Sequence, residues 1–171
     1  MLYTDTEAIV IDAGVGVRTL KKYLKSYGLS LFSALGIIVT HDHADHVRSV
    51  GCLSNNYNLP VYATLGVHEG IGKNWSVRKK IVPELKRVIM KDTPFKIGSF
   101  EITPFGVPHD STDCVGFAIK YENISFVIMT DVGHLTEDMK QYISQANYLV
   151  IEADYEKQML EAGPYPQHLK D

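Results

Sequence analysis

Short apolar runs dominate the first third of the chain and predict buried strands. Three such runs have the length of a strand and end at polar or turn-forming residues: residues 7–14, 34–40 and 60–64. The intervening residues 16–28 and 45–57 carry apolar side chains three or four positions apart, which predicts helices. The stripe of the first helix consists of Val17, Leu20, Tyr23 and Leu24. Alternating strands and helices of this kind are typical of an α/β domain.

The middle of the chain changes character, because β-branched and aromatic residues replace the helical pattern. Three segments are rich in such residues: residues 86–90, 94–109 and 114–131. Hairpin turns are predicted at Gly98-Ser99 and Glu122-Asn123. A helix capped by Thr136, a strand at 148–154 and a helix at 155–163 follow. The whole of residues 1–171 is therefore predicted to form one mixed α/β domain.

Composition and cysteine content narrow the class of protein. Hydrophobic residues make up 45% of the chain and charged residues 22%, as in ordinary globular domains. The apolar runs are too short to span a membrane, and the first residues lack the basic region of a signal peptide. Cys52 and Cys114 are far apart in sequence and indicate reduced thiols. These features predict a cytoplasmic protein.

Three histidines and two aspartates crowd into one loop, with the sequence THDHADH at residues 40–46. Close imidazoles and carboxylates cost desolvation free energy, and like charges among them repel. A bound cation reverses that balance, so the cluster indicates a metal site. The loop follows a predicted strand, where binding groups of α/β sheets usually lie. His41 and His43 can turn toward one ion, while Asp45 and His46 can face a second.

Two later residues are the predicted partners of this loop. His109 follows one predicted strand and Asp131 ends another. Three imidazoles, those of His41, His43 and His109, suit Zn²⁺ with one position left for water. The other two loop ligands and Asp131 would form a second site for Zn²⁺ or Mn²⁺. Two ions in such a site lie about 3.5–4 Å apart and hold a bridging hydroxide.

Positive charge is concentrated between the histidine loop and His109. Residues 73–91 hold seven Lys or Arg and one Glu, in a chain whose formal net charge is −3. Cationic side chains beside an aromatic ring are typical of surfaces that track phosphates and stack bases. The predicted substrate contacts are Lys73, Trp75, Arg78, Lys79 and Lys80. Nucleic acid is the predicted substrate, with the alternative that this stretch is only a solvated face.

The ligand segments resemble those of the metallo-β-lactamase-fold hydrolases. THDHADH, PHDSTDCVGF and MTD carry the resemblance, and the pattern HxHxDH is highly specific for that superfamily. IVIDAG near the start and GPYPQHLK at the end resemble the bacterial WalJ/YycJ-type branch, which is linked to DNA processing. The resemblance covers nearly the whole chain. It implies a four-layer αββα sandwich with a two-metal hydrolytic site at one edge.

The resemblance also implies a role for each ligand. The first metal would be held by His41, His43 and His109. The second would be served by Asp45 and His46, with Asp131 bridging the two metals. Asp45 would in addition orient the bridging hydroxide, which makes it the predicted catalytic residue. The reaction implied is hydrolysis of a phosphodiester, as in a nuclease.

The chain departs from the family pattern at both ends. Family members begin with a further strand before the IVIDAG segment, and they continue to a Gly-His-Leu-Ser stretch whose histidine completes the second metal site. This chain ends at Asp171, and His168 lies in a different motif. We therefore expect an incomplete sandwich, a second site that is one ligand short, and self-association through uncovered sheet surface.

Two alternatives to a nuclease remain open on sequence grounds. The first is another hydrolase of the same fold: a lactonase, a thioesterase of the glyoxalase II kind or a β-lactamase. Lactonase and glyoxalase relatives usually place small glycines after HxHxDH, whereas VRSVG follows here. The di-iron redox relatives need Glu in place of His43. The second alternative is a truncated, catalytically inactive chain that binds metal.

Overall fold

Two five-stranded β-sheets form the centre of the molecule in the computed structural model, which describes residues 1–152. The first sheet contains β1 (Leu2–Tyr3), β2 (Ala8–Ile11), β3 (Ala34–Ile38), β4 (Val61–Ala63) and β5 (Lys86–Val88). The second contains β6 (Phe95–Ile97), β7 (Phe100–Gly106), β8 (Val115–Tyr121), β9 (Ile124–Met129) and β10 (Tyr148–Ile151). The helices are α1 (Val17–Ser26), α2 (Ala44–Val47), α3 (Val50–Tyr57), α4 (Leu65–Lys73) and α5 (Glu137–Ser144).

The two sheets differ in strand direction because their connections differ. In the first sheet β2, β3, β4 and β5 are parallel, and each connection between them contains at least one helix. In the second sheet β6 to β9 are antiparallel neighbours joined by short connections. β10 returns parallel to β9 after α5.

Three separate apolar clusters show that the fold has four layers. One cluster joins the first sheet to its helices, as Ile37 packs with Leu53 and Val67. A second lies between the two sheets, where Ile38 meets Phe117. A third joins the second sheet to α5 and includes Met129 and Met139 from those two elements. The αββα arrangement predicted from the sequence is therefore confirmed.

Local sequence signals gave the turns and caps correctly. The turns between β6 and β7 and between β8 and β9 lie at the predicted positions, where Gly98 and Glu122 have positive φ angles of 56° and 51°. The Thr136 side chain accepts a hydrogen bond from the amide of Met139 at the start of α5. Tyr23, in contrast, was assigned wrongly to the apolar stripe of α1, since it is 64% exposed.

The helix predicted over residues 45–57 is broken into α2 and α3. Backbone hydrogen bonds to Ala13 explain the break: the carbonyl of His46 accepts from Ala13 N at 2.7 Å, and Ser49 N donates to Ala13 O at 2.8 Å. A continuous helix would need this carbonyl and this amide for its own ladder. The turn after β2 therefore forms hydrogen bonds with a carbonyl and an amide that a continuous helix would use. These bonds hold the turn beside the histidine loop.

Three elements were missed or misplaced by the sequence patterns, and the shortest of them is the unpredicted strand β1. Helix α4 was not predicted, because glycines at 66, 70 and 72 weaken its pattern. Its start signal is Thr64, whose side chain accepts from Val67 N. Residues 86–90 were grouped with the hairpins, whereas β5 pairs in parallel with β4 in the first sheet.

Some predictions fall outside the described part of the chain. The helix predicted at residues 155–163 and His168 lie beyond residue 152, and so does the end of the strand predicted at 148–154. Among the helices that the structure describes, none has the length and apolar character needed to cross a bilayer.

Substitution Gly51→Ala should destabilise the fold strongly. A Cβ atom at this position in α3 would lie 1.7 Å from the backbone carbonyl oxygen of Lys79, so one of the two segments must move. Overpacking of this kind costs about 1–3 kcal/mol or more in the free energy of unfolding. Urea unfolding followed by circular dichroism measures the loss.

Gly72→Ala is the matched control for this change, since no atom lies within 4 Å of a Cβ built there in α4. This variant should keep or raise the free energy of unfolding, by up to about 1 kcal/mol. Equal stability of both variants would contradict the close approach of α3 to residue 79.

Candidate metal centre

The histidine loop leaves the carboxyl end of β3 and carries its side chains to one edge of the sandwich. Val39, Thr40 and His41 are fully buried, so the first histidine is held inside the fold. His43 lies at the N-cap of α2, and His46 lies within that helix. Val115 N donates to Thr40 O at 3.0 Å, which ties the start of this loop to the second sheet.

The structure brings five of the six predicted ligands together in two neighbouring clusters. One cluster consists of His41, His43 and His109, and the other of His41, His46 and Asp131. Within each cluster one potential ligand atom per residue lies within 4.8 Å of the others. Nε2 of His109 is 3.2 Å from Nδ1 of His43, and Nε2 of His46 is 3.0 Å from Oδ2 of Asp131.

Two atoms at the centre of these clusters are buried without a hydrogen bond. Nε2 of His41 and Oδ2 of Asp131 find no hydrogen-bond partner among the described residues, and they lie 3.8 Å apart. Leaving such groups unsatisfied costs free energy, whereas a divalent cation accepts both kinds of ligand. Imidazole and carboxylate donors together suit Zn²⁺ and similar ions. The donor set therefore fits a divalent metal.

Burial and charge set the ionisation of the two inner histidines. Burial, reinforced by the neighbouring His46, lowers the pKa of His41 to about 3, so this imidazole is neutral at physiological pH. Burial also acts to lower the pKa of His46, but its hydrogen bond to Asp12 and the charges of Asp12, Asp131 and Asp45 outweigh burial and raise it. Negative charge thus converges at His46, where it attracts a cation.

Asp12 orients both inner histidines, a role that was not predicted from the sequence. Its Oδ1 accepts from Thr40 N at 2.8 Å, and its Oδ2 accepts from the Thr40 hydroxyl at 2.9 Å and from Nδ1–H of His46 at 2.9 Å. Since the Thr40 proton is directed to Asp12, Thr40 Oγ1 accepts from Nδ1–H of His41 at 3.0 Å. Both histidines therefore present the lone pair of Nε2 to the centre.

The sequence signal for Asp12 is its place at the end of β2, next to β3. This is the same strand-end position that identified Asp131.

Comparison with known proteins identifies the family. A family model described as a beta-lactamase superfamily domain matches residues 7–170. The chain belongs to this superfamily. It is 32% identical to exodeoxyribonuclease YycJ of Bacillus anthracis and 26% identical to exodeoxyribonuclease WalJ of Streptococcus pneumoniae serotype 2. Each alignment covers 99% of this chain but only 64% and 62% of the respective relative, so the chain spans less than two thirds of their length.

Solved structures share the metallo-β-lactamase fold of this superfamily member. Zn²⁺-bound PqqB from Methylobacterium extorquens matches with a TM-score of 0.77 at 18% identity, over 96% of this chain and 63% of the other. The subclass B3 metallo-β-lactamase MEM-A1, isolated from a soil metagenome library, matches with a TM-score of 0.64 at 14% identity, over 87% and 70%. At these identities the similarity establishes the fold.

Asp45 is the predicted ligand that the structure leaves outside both clusters. Its side chain is 78% exposed, and its Oδ2 lies 3.7 Å from Nε2 of His46. In the cluster around Asp131, His41 stands where the sequence placed Asp45. The metal-binding and catalytic roles of Asp45 therefore stay predictions.

The structure separates the basic stretch of this β-lactamase superfamily chain into two groups. Lys73 and Trp75 line a cleft of about 450 Å³ together with His43. Lys80 instead donates to the carbonyls of Ile71 and Asn74 at the end of α4. Two of the predicted substrate contacts thus border the metal centre. The remaining exposed ones, Arg78 and Lys79, are not among the described residues that line this cleft.

Proposed function

We propose that this superfamily member is a phosphodiesterase that uses two divalent metal ions to cleave nucleic acid. The observation that carries the proposal is the pair of neighbouring ligand clusters, with buried Nε2 of His41 and Oδ2 of Asp131 lacking hydrogen bonds within the described chain. The relatives named exodeoxyribonucleases support the choice of substrate. The cleft that joins His43 to Lys73 gives a phosphate-bearing chain access to the site.

The lone pairs available decide how the ligands divide between two ions. Nδ1 of His41 is engaged with Thr40, so His41 offers one lone pair, at Nε2, and serves one ion. Together with His43 and His109 it completes the three-imidazole set that suits Zn²⁺. The second ion, Zn²⁺ or Mn²⁺, is then left with the two other members of its cluster. Asp45, whose Oδ2 lies 3.7 Å from Nε2 of His46, is the nearby carboxylate that would supply a third ligand.

The residues of the chain hold and orient the reacting groups. Two divalent ions, when bound, polarise a phosphoryl oxygen and make water nucleophilic at neutral pH. Oδ2 of Asp131 is 3.8 Å from Nε2 of His41, the residue that belongs to both clusters, and 3.0 Å from Nε2 of His46, so Asp131 is the residue that we assign to both ions. Asp45, which lies beside His46, would in addition orient the attacking water.

The proposed substrate is consistent with the remaining expectations for this protein. A cytoplasmic location, where such an enzyme meets cellular nucleic acid, is part of the proposal. Self-association through uncovered sheet surface stays a prediction, which sedimentation velocity at two protein concentrations tests directly. A sedimentation coefficient that does not change with concentration would count against it.

Metal content and hydrolysis together test the proposed function. We expect about two equivalents of Zn or Mn per chain by plasma mass spectrometry of protein purified without chelator. Hydrolysis of bis-p-nitrophenyl phosphate and of end-labelled DNA should disappear after dialysis against a chelator. It should return when Zn²⁺ or Mn²⁺ is added back, because the ligand atoms are already oriented by Asp12 and Thr40.

Parallel assays separate this function from its alternatives. Turnover of a lactone, a thioester or a β-lactam without turnover of either phosphodiester would replace the proposal by another hydrolase of the superfamily. One metal equivalent or none, with all substrates left intact, would indicate an inactive metal-binding chain.

A further inference from the structure

Trp75 is exposed beside the metal centre in a way that hydrolysis itself does not explain. The residue is 89% exposed, it is the single tryptophan of the chain, and it lines the same cleft as His43. We propose, on the basis of the phosphodiesterase function above, that its indole ring is the platform on which an unpaired base of the substrate stacks. The preferred substrate is then a nucleic acid with a single-stranded end.

The segment that carries Trp75 is fixed to the histidine loop. Nδ2 of Asn74 donates to the backbone carbonyl of Asp42 at 2.7 Å, between His41 and His43. Oδ1 of the same Asn74 accepts from the amide of Ser76 at 3.0 Å and from its hydroxyl at 2.7 Å. The residues on both sides of the ring are therefore anchored, although the ring itself is exposed. A preorganised platform loses less entropy when a ligand binds.

Helix α4 packs closely against the histidine loop. A Cβ at Gly70 would overlap the Asp42 side chain, so a larger residue here would require that side chain to move. Oδ1 of Asp42 also accepts from Thr112 N at 3.2 Å, in the loop that follows His109. Asp42 thus joins both walls of the cleft to the loop between the first two histidines. The distance from Trp75 to the metal centre is set by these contacts.

The charges of the cleft favour stacking over phosphate tracking. The charged side chains that line it include Lys73, Glu69 and Asp42. Nζ of Lys73 lies 3.8 Å from Oε2 of Glu69, one helical turn earlier, so the lysine charge is partly offset. A cleft with opposed charges attracts a polyanion weakly. Ring stacking is then the main attraction that this wall offers to a nucleotide.

Stacking on an exposed ring also favours unpaired bases over paired ones. In a duplex both faces of an internal base are covered by its neighbours, so the indole ring has no free face to contact. An unpaired base exposes its face and stacks irrespective of its identity. Trp75 therefore distinguishes unpaired bases from bases inside a duplex, while the metal centre acts on the phosphodiester beside the stacked base.

Fluorescence of Trp75 tests base stacking directly, because no other tryptophan contributes to the signal. The protein is stripped of metal with a chelator, so that cleavage does not interfere. A short oligothymidylate should quench the emission with saturation. An abasic chain of the same length and charge should leave it nearly unchanged. Equal quenching by the abasic chain would overturn the platform, since phosphates alone would then explain binding.

Steady-state kinetics with metal-loaded protein provide the second arm. Trp75→Ala should raise KM for single-stranded DNA about 10- to 100-fold, whereas Trp75→Phe, which keeps a ring, should restore most of the loss. Tyr23→Ala removes an exposed ring from α1, outside the cleft, and is the matched control with unchanged kinetics. An unaltered KM in Trp75→Ala would overturn the inference.

The two arms also separate this inference from the proposed function. Quenching by oligothymidylate without metal-dependent hydrolysis would contradict the phosphodiesterase and support the stacking platform. Hydrolysis of bis-p-nitrophenyl phosphate without quenching by any oligonucleotide would support the phosphodiesterase and contradict the stacking platform.

Discussion

Asp131→Asn should reduce phosphodiester hydrolysis at least about 10³-fold, because one change weakens both metal positions. The carboxylate is placed near Nε2 of both inner histidines, and an amide is a much poorer ligand for a divalent ion. Losing several kcal/mol of charge stabilisation in the transition state corresponds to a factor of this size. Initial rates on bis-p-nitrophenyl phosphate at saturating Zn²⁺ or Mn²⁺ measure the effect.

The choice of asparagine keeps the backbone unstrained. Asp131 has a φ angle of 53°, a left-handed conformation that Asn tolerates better than Ala does. The far-ultraviolet circular dichroism spectrum and the midpoint of thermal unfolding should therefore stay close to those of the unchanged protein. His43→Ala should show a comparable loss of activity, since it removes a ligand of the three-imidazole cluster.

Two exposed neighbours in sequence serve as controls for these variants. Asp138→Asn removes a carboxylate from the first turn of α5, and His134→Ala removes an exposed imidazole close to Asp131 in sequence. Both should retain normal turnover. Full activity in purified Asp131→Asn or His43→Ala would mean that the ligands are wrongly assigned.

Asp12→Asn should weaken metal binding about 10- to 100-fold while leaving most of the fold intact. The two oxygens of the carboxylate accept three hydrogen bonds. An amide keeps one oxygen as an acceptor, but its nitrogen is a donor and would face a donor of Thr40 or His46. With the amide oxygen at the Oδ2 position, the amide nitrogen opposes Thr40 N and loosens the loop; with the amide reversed, its nitrogen faces Nδ1 of His46 and forces the proton of that ring onto Nε2. The lone pair that a metal needs is then lost, although Asp12 itself does not contact the metal.

Metal affinity is the measurement that distinguishes orientation from structural damage. Competition with a chromophoric chelator gives the dissociation constant, and it should rise in Asp12→Asn even where the unfolding midpoint is unchanged. Asp5→Asn changes an exposed carboxylate earlier in the chain and should leave affinity unaltered. A normal metal affinity in Asp12→Asn would contradict the orienting role of this residue.

The candidate ligands were accessible from sequence because each follows a strand that the pattern already predicted. The run before His41 became β3, and the run before Asp131 became β9. Strand ends at one edge of a sandwich meet in space, so local patterns were sufficient to assemble distant residues. The hairpin turns and the Thr136 cap were likewise predictable, since they depend on a few neighbouring residues.

What lay outside local patterns was decided by contacts between segments far apart in sequence. Asp12 acquires its role through hydrogen bonds to Thr40 and His46, which are 28 and 34 positions away. The break between α2 and α3 depends on the backbone hydrogen bonds of Ala13 to His46 and Ser49. Such long-range contacts do not change the hydrophobic periodicity or the turn propensity of the segments involved, so sequence patterns cannot predict them.

The sequence by itself therefore predicted most strands and helices and the candidate metal ligands, because burial periodicity and ligand chemistry are written in adjacent positions. The order of the four layers was implied by the family resemblance. Only the tertiary structure decided which proton each histidine carries and which cationic residues border the cleft. Lys73 and Trp75 lie beside His43 because α4 packs against Asp42, while Lys80 closes the end of that helix. Such choices depend on distances between elements, which no single segment encodes.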